Sequence, residues 1–414
     1  MPIPPTDSGA TTAAPADRGP RVWSTNRRIR AVADPIIPVL GALIDRHPGT
    51  LSLGQGMVAF GPPPDALART GDALGDLAIH QYQQSDGLPS LVERFAEKLR
   101  RENHTPLGGR RVIVAAGGNM AFLELMLVLL DPGDEVVFPA PYYFNYPMAV
   151  DMAGGRSVVA ATDRDYQLDL EAIERAITPR TRAIVTISPN NPSGAVYPAS
   201  VLRAVNALCA DRGLYHVSDE VYEYFTFGDT PHYSPASEAG TEAHTIALYS
   251  MSKAYGMAGW RIGFMVVPEA LYEPLLKVQD TNVVCPTIAS QVLASHALDV
   301  GRAYCDAQVR PLRELRDRAL ARLRDIGDAC AVPPSEGALY LLPRVATDLD
   351  SMTVATRLVE DFGVAVVPGA AFGLTDGCYL RVAYGAVDPR ELDEALARLT
   401  RGLAHIAGER PSNH

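Results

Sequence analysis

Cysteine is scarce in this chain and unpatterned. The five cysteines (Cys209, Cys285, Cys305, Cys330, Cys378) are odd in number and scattered, with no C-x-x-C spacing. That speaks against a disulfide framework and a zinc site, and fits a reducing cytoplasm. Long apolar runs are missing as well: no stretch reaches the ~20 residues a bilayer span needs, so no membrane partner is expected. An excess of positive charge is also absent, with 37 Lys and Arg against 48 Asp and Glu and a formal net charge of −11 at pH 7. A nucleic-acid or anionic-membrane partner would favour a basic face, so neither is expected. There is no internal repeat and no G-x-G-x-x-G of a dinucleotide fold. Residues 1–26, opening MPIPPTDSGATTAAPADRGP, are rich in Pro, Ala, Thr and Gly but lack an apolar h-region. They read as a disordered leader and not as a signal peptide.

What is present is ordinary globular composition: 414 residues, 47% hydrophobic and 21% charged, enough for two domains with sizeable cores. Residues 27–50 read as an N-terminal arm and first helix, the helix starting near Val39 after Pro35 and Pro38. From Arg110 onward short β-branched runs alternate with helical stretches, the pattern of a mostly parallel sheet covered by helices on both faces. This α/β domain is expected over residues 51–303. Residues 304–414 change style, with strand-like SEGALYLLP, VAVVPGAAFG and CYLRVAYG between helices, and read as a smaller α+β domain. Its first part, Tyr304 to Ile326, reads as a long joining helix with Pro311 as a kink or restart.

One stretch organises the rest. LYSMSKAYGMAGWRIGF, Leu248 to Phe264, sets Lys253 in a Gly- and Ser-rich loop between apolar runs, with Ser250 before it and Arg261 after. Most lysines are solvated and inert, because their charge is costly to bury unpaired. A lysine in this setting is a partly desolvated amine, which suits Schiff-base chemistry. Other segments carry weaker signals. VIVAAGGNMAF is a strand, a Gly-Gly turn and a helix from about Asn119, whose first N–H groups can hold an anion. The aromatics of PAPYYFNYP (Tyr142, Tyr143, Tyr146) are more often core than ligand contacts. PNNPSG is a common turn, but here it follows a strand at the edge where α/β sheets bind ligands. Asp219, ending the strand LYHVSD, could be only a helix cap. At the same edge it could instead pair with a buried pyridinium.

The pattern Ser-x-Ser-Lys-x-x-Gly-x-x-Gly-Trp-Arg-x-Gly resembles the cofactor-lysine segment of the class I/II aminotransferases, fold-type-I enzymes dependent on pyridoxal 5'-phosphate. Further resemblances, to bacterial aspartate aminotransferases and to the glutamine/kynurenine branch, follow in family order from about Arg27 to Leu403. They imply that Lys253 carries the cofactor and that Ser250, Arg261, Gly118 and Asn119 hold its phosphate. They imply that Tyr143 stacks on the pyridine ring, that Asp219 faces the ring nitrogen, and that Asn191 and Tyr222 face the 3′ oxygen. Tyr142 and Tyr146 keep the core reading. Arg381, in Tyr-Leu-Arg-Val-Ala, would grip the substrate α-carboxylate, with Asn191 and Gly56 beside it. Gly54, Gln55, Gly56 and Phe60 match the family's Gly-Gln-Gly loop, although Val58-Ala59 replaces its Pro-Asp. Tyr82 matches a tyrosine that reaches the partner subunit's phosphate, which implies a homodimer. The implied reaction is ping-pong transfer of an amino group between an L-amino acid and a 2-oxo acid, with Lys253 as proton carrier. One departure bears on substrate: Asn119 stands where bacterial aspartate enzymes can have a lysine for the distal carboxylate, which points to neutral, aromatic or non-standard donors in place of aspartate. A lyase or cyclase of the same fold stays open, since fold and cofactor do not fix the outcome. A ligand-sensing module is the more remote alternative, as no basic DNA-binding segment precedes the arm.

Overall fold

The computed structural model describes residues 25–409, so most of the sequence read as a leader lies outside the described residues. Its centre is a seven-stranded sheet in the order Arg110–Ala115, Gly263–Pro268, Thr245–Ser250, Tyr215–Asp219, Thr181–Ile187, Glu135–Pro139, Arg156–Ala160. All strands point the same way except Gly263–Pro268, which is antiparallel to both neighbours. The strands are apolar on both faces because both are covered. In the Thr181–Ile187 strand, Ile184 packs with Leu202, Val205 and Ile173 from helices on one side. Its neighbours Ala183 and Val185 pack with Phe122, Leu125 and Met126 of the Gly118–Leu129 helix on the other. This period-two division is what an extended chain imposes. Leu125 is fully buried there, and Leu125→Ala would cost about 2 to 5 kcal/mol through the cavity left behind.

The parallel arrangement has one consequence for chemistry. It brings the carboxyl ends of strands far apart in sequence to a single edge, and the turns that leave those ends carry Tyr143, Asn191, Asp219 and Lys253. The antiparallel strand begins at the same edge, so Arg261 just before it arrives there too.

The C-terminal part has an antiparallel sheet built from Cys330–Ala331, Tyr340–Leu341, Arg344–Val345, Val367–Pro368 and Cys378–Ala383. The amphipathic helices Leu312–Arg324, Ser351–Phe362 and Pro389–Gly408 bring Leu320, Leu358 and Leu396 into the core against it. The sequence division at residue 51 places the Leu51 strand in the large domain. Leu51–Ser52 instead pairs in parallel with Val364–Ala365. The N-terminal helix runs Ile36–Asp45 and starts earlier than Val39. Pro38 falls in its first turn, where the missing N–H has no intrahelical partner to lose. The joining segment is two helices, Arg302–Val309 and Leu312–Arg324, so Pro311 marks a restart. Among the described residues no helix is long and apolar enough to cross a membrane.

Candidate active site

A cleft of about 330 Å³ opens where the carboxyl edge of the large sheet meets the C-terminal part. One end is built for an anion. The strand Arg110–Ala115 runs through Gly117 into the Gly118–Leu129 helix, which has no side-chain cap. The first N–H groups of that helix therefore face the cleft without intrahelical partners and carry the positive end of its dipole. Gly117 has φ +86°, and a Cβ there would overlap the Arg261 guanidinium. Only glycine meets both demands. Arg261 itself adopts φ +56°, which turns its side chain back over that glycine, and its Nη1 donates to Ala258 O at 2.8 Å. Ser250 completes this end; its Oγ accepts from Ser252 N at 3.1 Å.

The middle of the cleft holds an amine and a carboxylate. The lysines of the chain are Lys98, Lys253 and Lys277. Lys98 is buried in an ion pair with Glu223, and Lys277 is exposed on the surface of its helix. Lys253 alone lines the cleft, and its Nζ donates to Gly56 O. Burial first, and then the positive charges of Arg381 and Arg261, bring its pKa down from 10.5 to about 8, with Asp219 opposing. Asp219 is 5% exposed. Its Oδ2 accepts from Tyr146 Oη at 2.6 Å and its Oδ1 from Val221 N at 3.1 Å. Burial raises its pKa from 3.8 to about 6, and those two hydrogen bonds pull the other way. It forms no ion pair among the described residues, so a cation in front of it would be a better partner than any the chain supplies.

The far end is built for a carboxylate. Arg381 is 2% exposed. Its Nη1 donates to Asn191 Oδ1 at 3.1 Å and its Nη2 to Gly54 O at 2.7 Å. Nε has no hydrogen-bond partner among the described residues. A buried guanidinium with no carboxylate of its own is costly, and a bidentate anion is what its fork matches.

Of the residues singled out in the sequence, Gly56, Gly118, Asn119, Tyr143, Asn191, Asp219, Tyr222, Ser250, Lys253, Arg261 and Arg381 line this one cleft. Tyr82 does not, and its side chain is 83% exposed. The sequence reading missed others. Tyr146, read as core, is stacked on Phe122 at 3.8 Å and also holds Asp219 by its hydroxyl. Tyr340 lines the cleft from the C-terminal sheet, and Ile37 and Phe144 form part of its wall. The Gly54 carbonyl takes one arm of Arg381. An aromatic in the first turn of a helix, such as Tyr146, or one within an apolar strand, such as Tyr340, carries no local signal beyond the aromatic letter itself.

The donor set fits pyridoxal phosphate: helix N–H groups, Ser250 and Arg261 for a phosphate, an unpaired buried carboxylate for a pyridinium, and a low-pKa amine for an aldehyde. The sequence matches the family model for aminotransferase class I and II over residues 48–399. It is 33% identical over 390 residues to an aromatic aminotransferase of Arabidopsis thaliana, covering 92% of this chain and 96% of that protein. It is 39% identical over 332 residues to the aspartate/prephenate aminotransferase of Thermus thermophilus, covering 78% of this chain and 83% of that one. Among solved structures, the Thermus thermophilus aspartate aminotransferase with maleate is similar with a TM-score of 0.84 and 33% identity, over 92% of this chain and 100% of that chain. This chain belongs to the class I and II aminotransferases, the fold-type-I transaminases that use pyridoxal 5'-phosphate to exchange an amino group between an amino acid and a 2-oxo acid.

Proposed function

We propose that Lys253 carries the cofactor and shuttles the proton, that Asp219 pairs with the ring nitrogen, and that Arg381 holds the α-carboxylate of a neutral or aromatic amino acid in preference to aspartate. In this reading Ser250, Arg261, Gly118 and Asn119 hold the phosphate, Tyr143 lies on the ring, and Asn191 and Tyr222 face the 3′ oxygen. The bound cofactor supplies an aldehyde that condenses with amines and a protonated ring that takes up the electron pair released at Cα. Lys253, freed by the incoming amine, takes the proton from the substrate's Cα and returns it at the cofactor's C4′. Its lowered pKa supports this role, because the neutral amine is accessible near neutral pH. Asp219 holds the ring nitrogen protonated, which an amide could not do as well in a buried site. Arg381, clamped by Gly54 and Asn191, orients the α-carboxylate so that Cα faces Lys253.

The substrate preference is carried by one observation. The cations lining the cleft are Lys253, Arg261 and Arg381, and each already has a role at the amine, the phosphate or the α-carboxylate. Position 119 contributes an amide and no charge, and Ile37 and Phe144 add apolar wall. The relatives are named for aromatic substrates as well as for aspartate and prephenate, so their names leave the preference to the residues. A charged hydrogen bond is worth about 1.5 to 3 kcal/mol against ~1 for a neutral one, so aspartate loses on the order of tenfold. Steady-state kcat/KM over a panel of amino donors tests this: neutral or aromatic donors should exceed aspartate, and aspartate ranking first overturns the preference.

The working unit in this proposal is a homodimer. It is supported by Tyr82, exposed on a loop away from its own cleft and matching a tyrosine that serves the partner's phosphate. Sedimentation should give a dimer, and a fully active monomer rules it out. A reducing cytoplasm is supported by five cysteines that are all free, four of them buried.

A further inference from the structure

Tyr340 and Tyr222 meet across the junction between the two sheets. Tyr340 lies on the Tyr340–Leu341 strand and Tyr222 in the turn after Asp219, at 1% and 3% exposure. Their hydroxyl oxygens are 2.5 Å apart and their rings meet edge to face, with centroids at 5.7 Å. Two other groups converge on Tyr340. The Arg381 guanidinium carbon lies 4.6 Å from its ring centroid, a cation–π contact. A Cβ built at Gly56 would stand 2.5 Å from Tyr340 Oη and 3.3 Å from Cζ.

We propose that Tyr340 is a positioning residue: its hydroxyl donates to Tyr222 and so aims the Tyr222 O–H into the cleft, its ring seats Arg381, and it is the reason residue 56 is glycine. Each hydroxyl has a single O–H, and only one can lie between the two oxygens. Tyr222 lines the cleft, where its own O–H can reach a ligand oxygen. Tyr340 Oη has no other hydrogen-bond acceptor among the described residues. If Tyr222 donated instead, the Tyr340 O–H would sit beside Gly56 with no acceptor among the described residues, a cost the opposite polarity avoids. Burial raises the pKa of the Tyr340 hydroxyl, and the Arg381 charge over the ring opposes that rise. A hydroxyl that accepts one hydrogen bond donates the next more strongly.

The inference rests on Tyr222 facing the cofactor's 3′ oxygen, and the test separates the two. The readout is the pH midpoint of the bound cofactor's visible absorbance in the holoenzyme, which reports the proton held between the lysine nitrogen and that oxygen. Strong donation by Tyr222 draws charge from the oxygen and loosens that proton. Tyr340→Phe keeps the ring under Arg381 and deletes only the hydroxyl. It should raise the midpoint by roughly 0.3 to 0.6 of a pH unit, a twofold to fourfold gain in proton affinity. The KM of the amino donor should stay near its original value, because Arg381 keeps its seat. In a Tyr222→Phe background the same substitution should add no further shift. If Tyr222→Phe moves the midpoint and Tyr340→Phe does not, or if the two shifts simply add, the inference is overturned. If Tyr222→Phe itself leaves the midpoint in place, the assignment of Tyr222 falls, and this inference with it.

A second pair of variants tests the packing. Gly56→Ala should lower the holoenzyme Tm by roughly 2 to 5 degrees, as overpacking does. Most of that loss should vanish in Gly56→Ala/Tyr340→Phe, where the obstructing oxygen is gone. An undiminished loss in the double variant overturns the account of the glycine.

Discussion

Replacing Lys253 by methionine should stabilise the cofactor-free protein at pH 7, and the gain should fade as the pH approaches 10. The amine is held in the cleft by burial and by the fields of Arg381 and Arg261, which together lower its pKa from 10.5 to about 8. Such a group binds its proton more weakly in the folded than in the unfolded chain. Between those two values the unfolded chain therefore carries the extra proton, and stability rises with pH through that window. Below pH 8 the protonated amine is confined at full cost. A gap from about 8 to 10.5 corresponds to about 3 kcal/mol at pH 7, falling below ~1 kcal/mol at pH 10. Methionine has similar length and no charge, so it removes this penalty without opening a cavity. Urea unfolding of the two cofactor-free proteins at pH 7, 8.5 and 10 reads the effect, because Asp219, the carboxylate coupled to this amine, titrates at about 6, below that range. The variant should be the more stable at pH 7 and the two should converge at pH 10. A difference that is independent of pH, or one that grows with it, would refute the claim that this amine is desolvated before the cofactor binds.

The parts of the site that were legible in sequence are those whose chemistry is local. Ser250, Lys253 and Arg261 lie within one short stretch with the glycines that let backbone and guanidinium approach each other, so composition and spacing carry the signal. Asp219 and Asn191 were legible because one ends an apolar strand and the other lies in the turn just past one, and parallel strands share a ligand-binding edge. The strands themselves were legible from β-branched runs, since burial on both faces removes polar letters from them. What could not be read is chemistry that depends on a distant partner. Tyr146 and Tyr340 look like core aromatics in their own segments, and by burial they are. Their hydroxyls matter only because Asp219 is 73 residues from Tyr146 and Tyr222 is 118 from Tyr340, distances that folding closes and periodicity does not encode. The Gly54 carbonyl is a backbone atom, so no side-chain letter marks it. The pairing of Leu51–Ser52 with Val364–Ala365 is unreadable for a similar reason: a two-residue strand has too few alternating positions to declare its partner. The helix at Ile36 was placed late because two prolines were read as a boundary, although the first turn tolerates them.

Two further substitutions test the roles of individual side chains. Asp219→Asn should retain some cofactor yet lose most of the turnover rate, because an amide accepts a hydrogen bond but does not hold a buried pyridinium charged; near-normal turnover would mean the carboxylate acts only as a cap. Arg381→Lys is the sharper test, since it conserves charge and removes geometry. The guanidinium is buried, with one arm on Asn191, one on Gly54 O and its flat face on Tyr340 and Phe372. An ammonium is a point donor that cannot make both clamps and still present a fork, and it is hydrated more strongly than a guanidinium. Losing one charged hydrogen bond of about 1.5 to 3 kcal/mol predicts a fall in kcat/KM of roughly tenfold to somewhat over a hundredfold. Because the same α-carboxylate is held in both half-reactions, the loss should appear for the amino donor and for the 2-oxo acid alike, while the cofactor's absorbance in the resting enzyme stays as it was. Unchanged kinetics for either substrate would place the carboxylate grip elsewhere in the cleft.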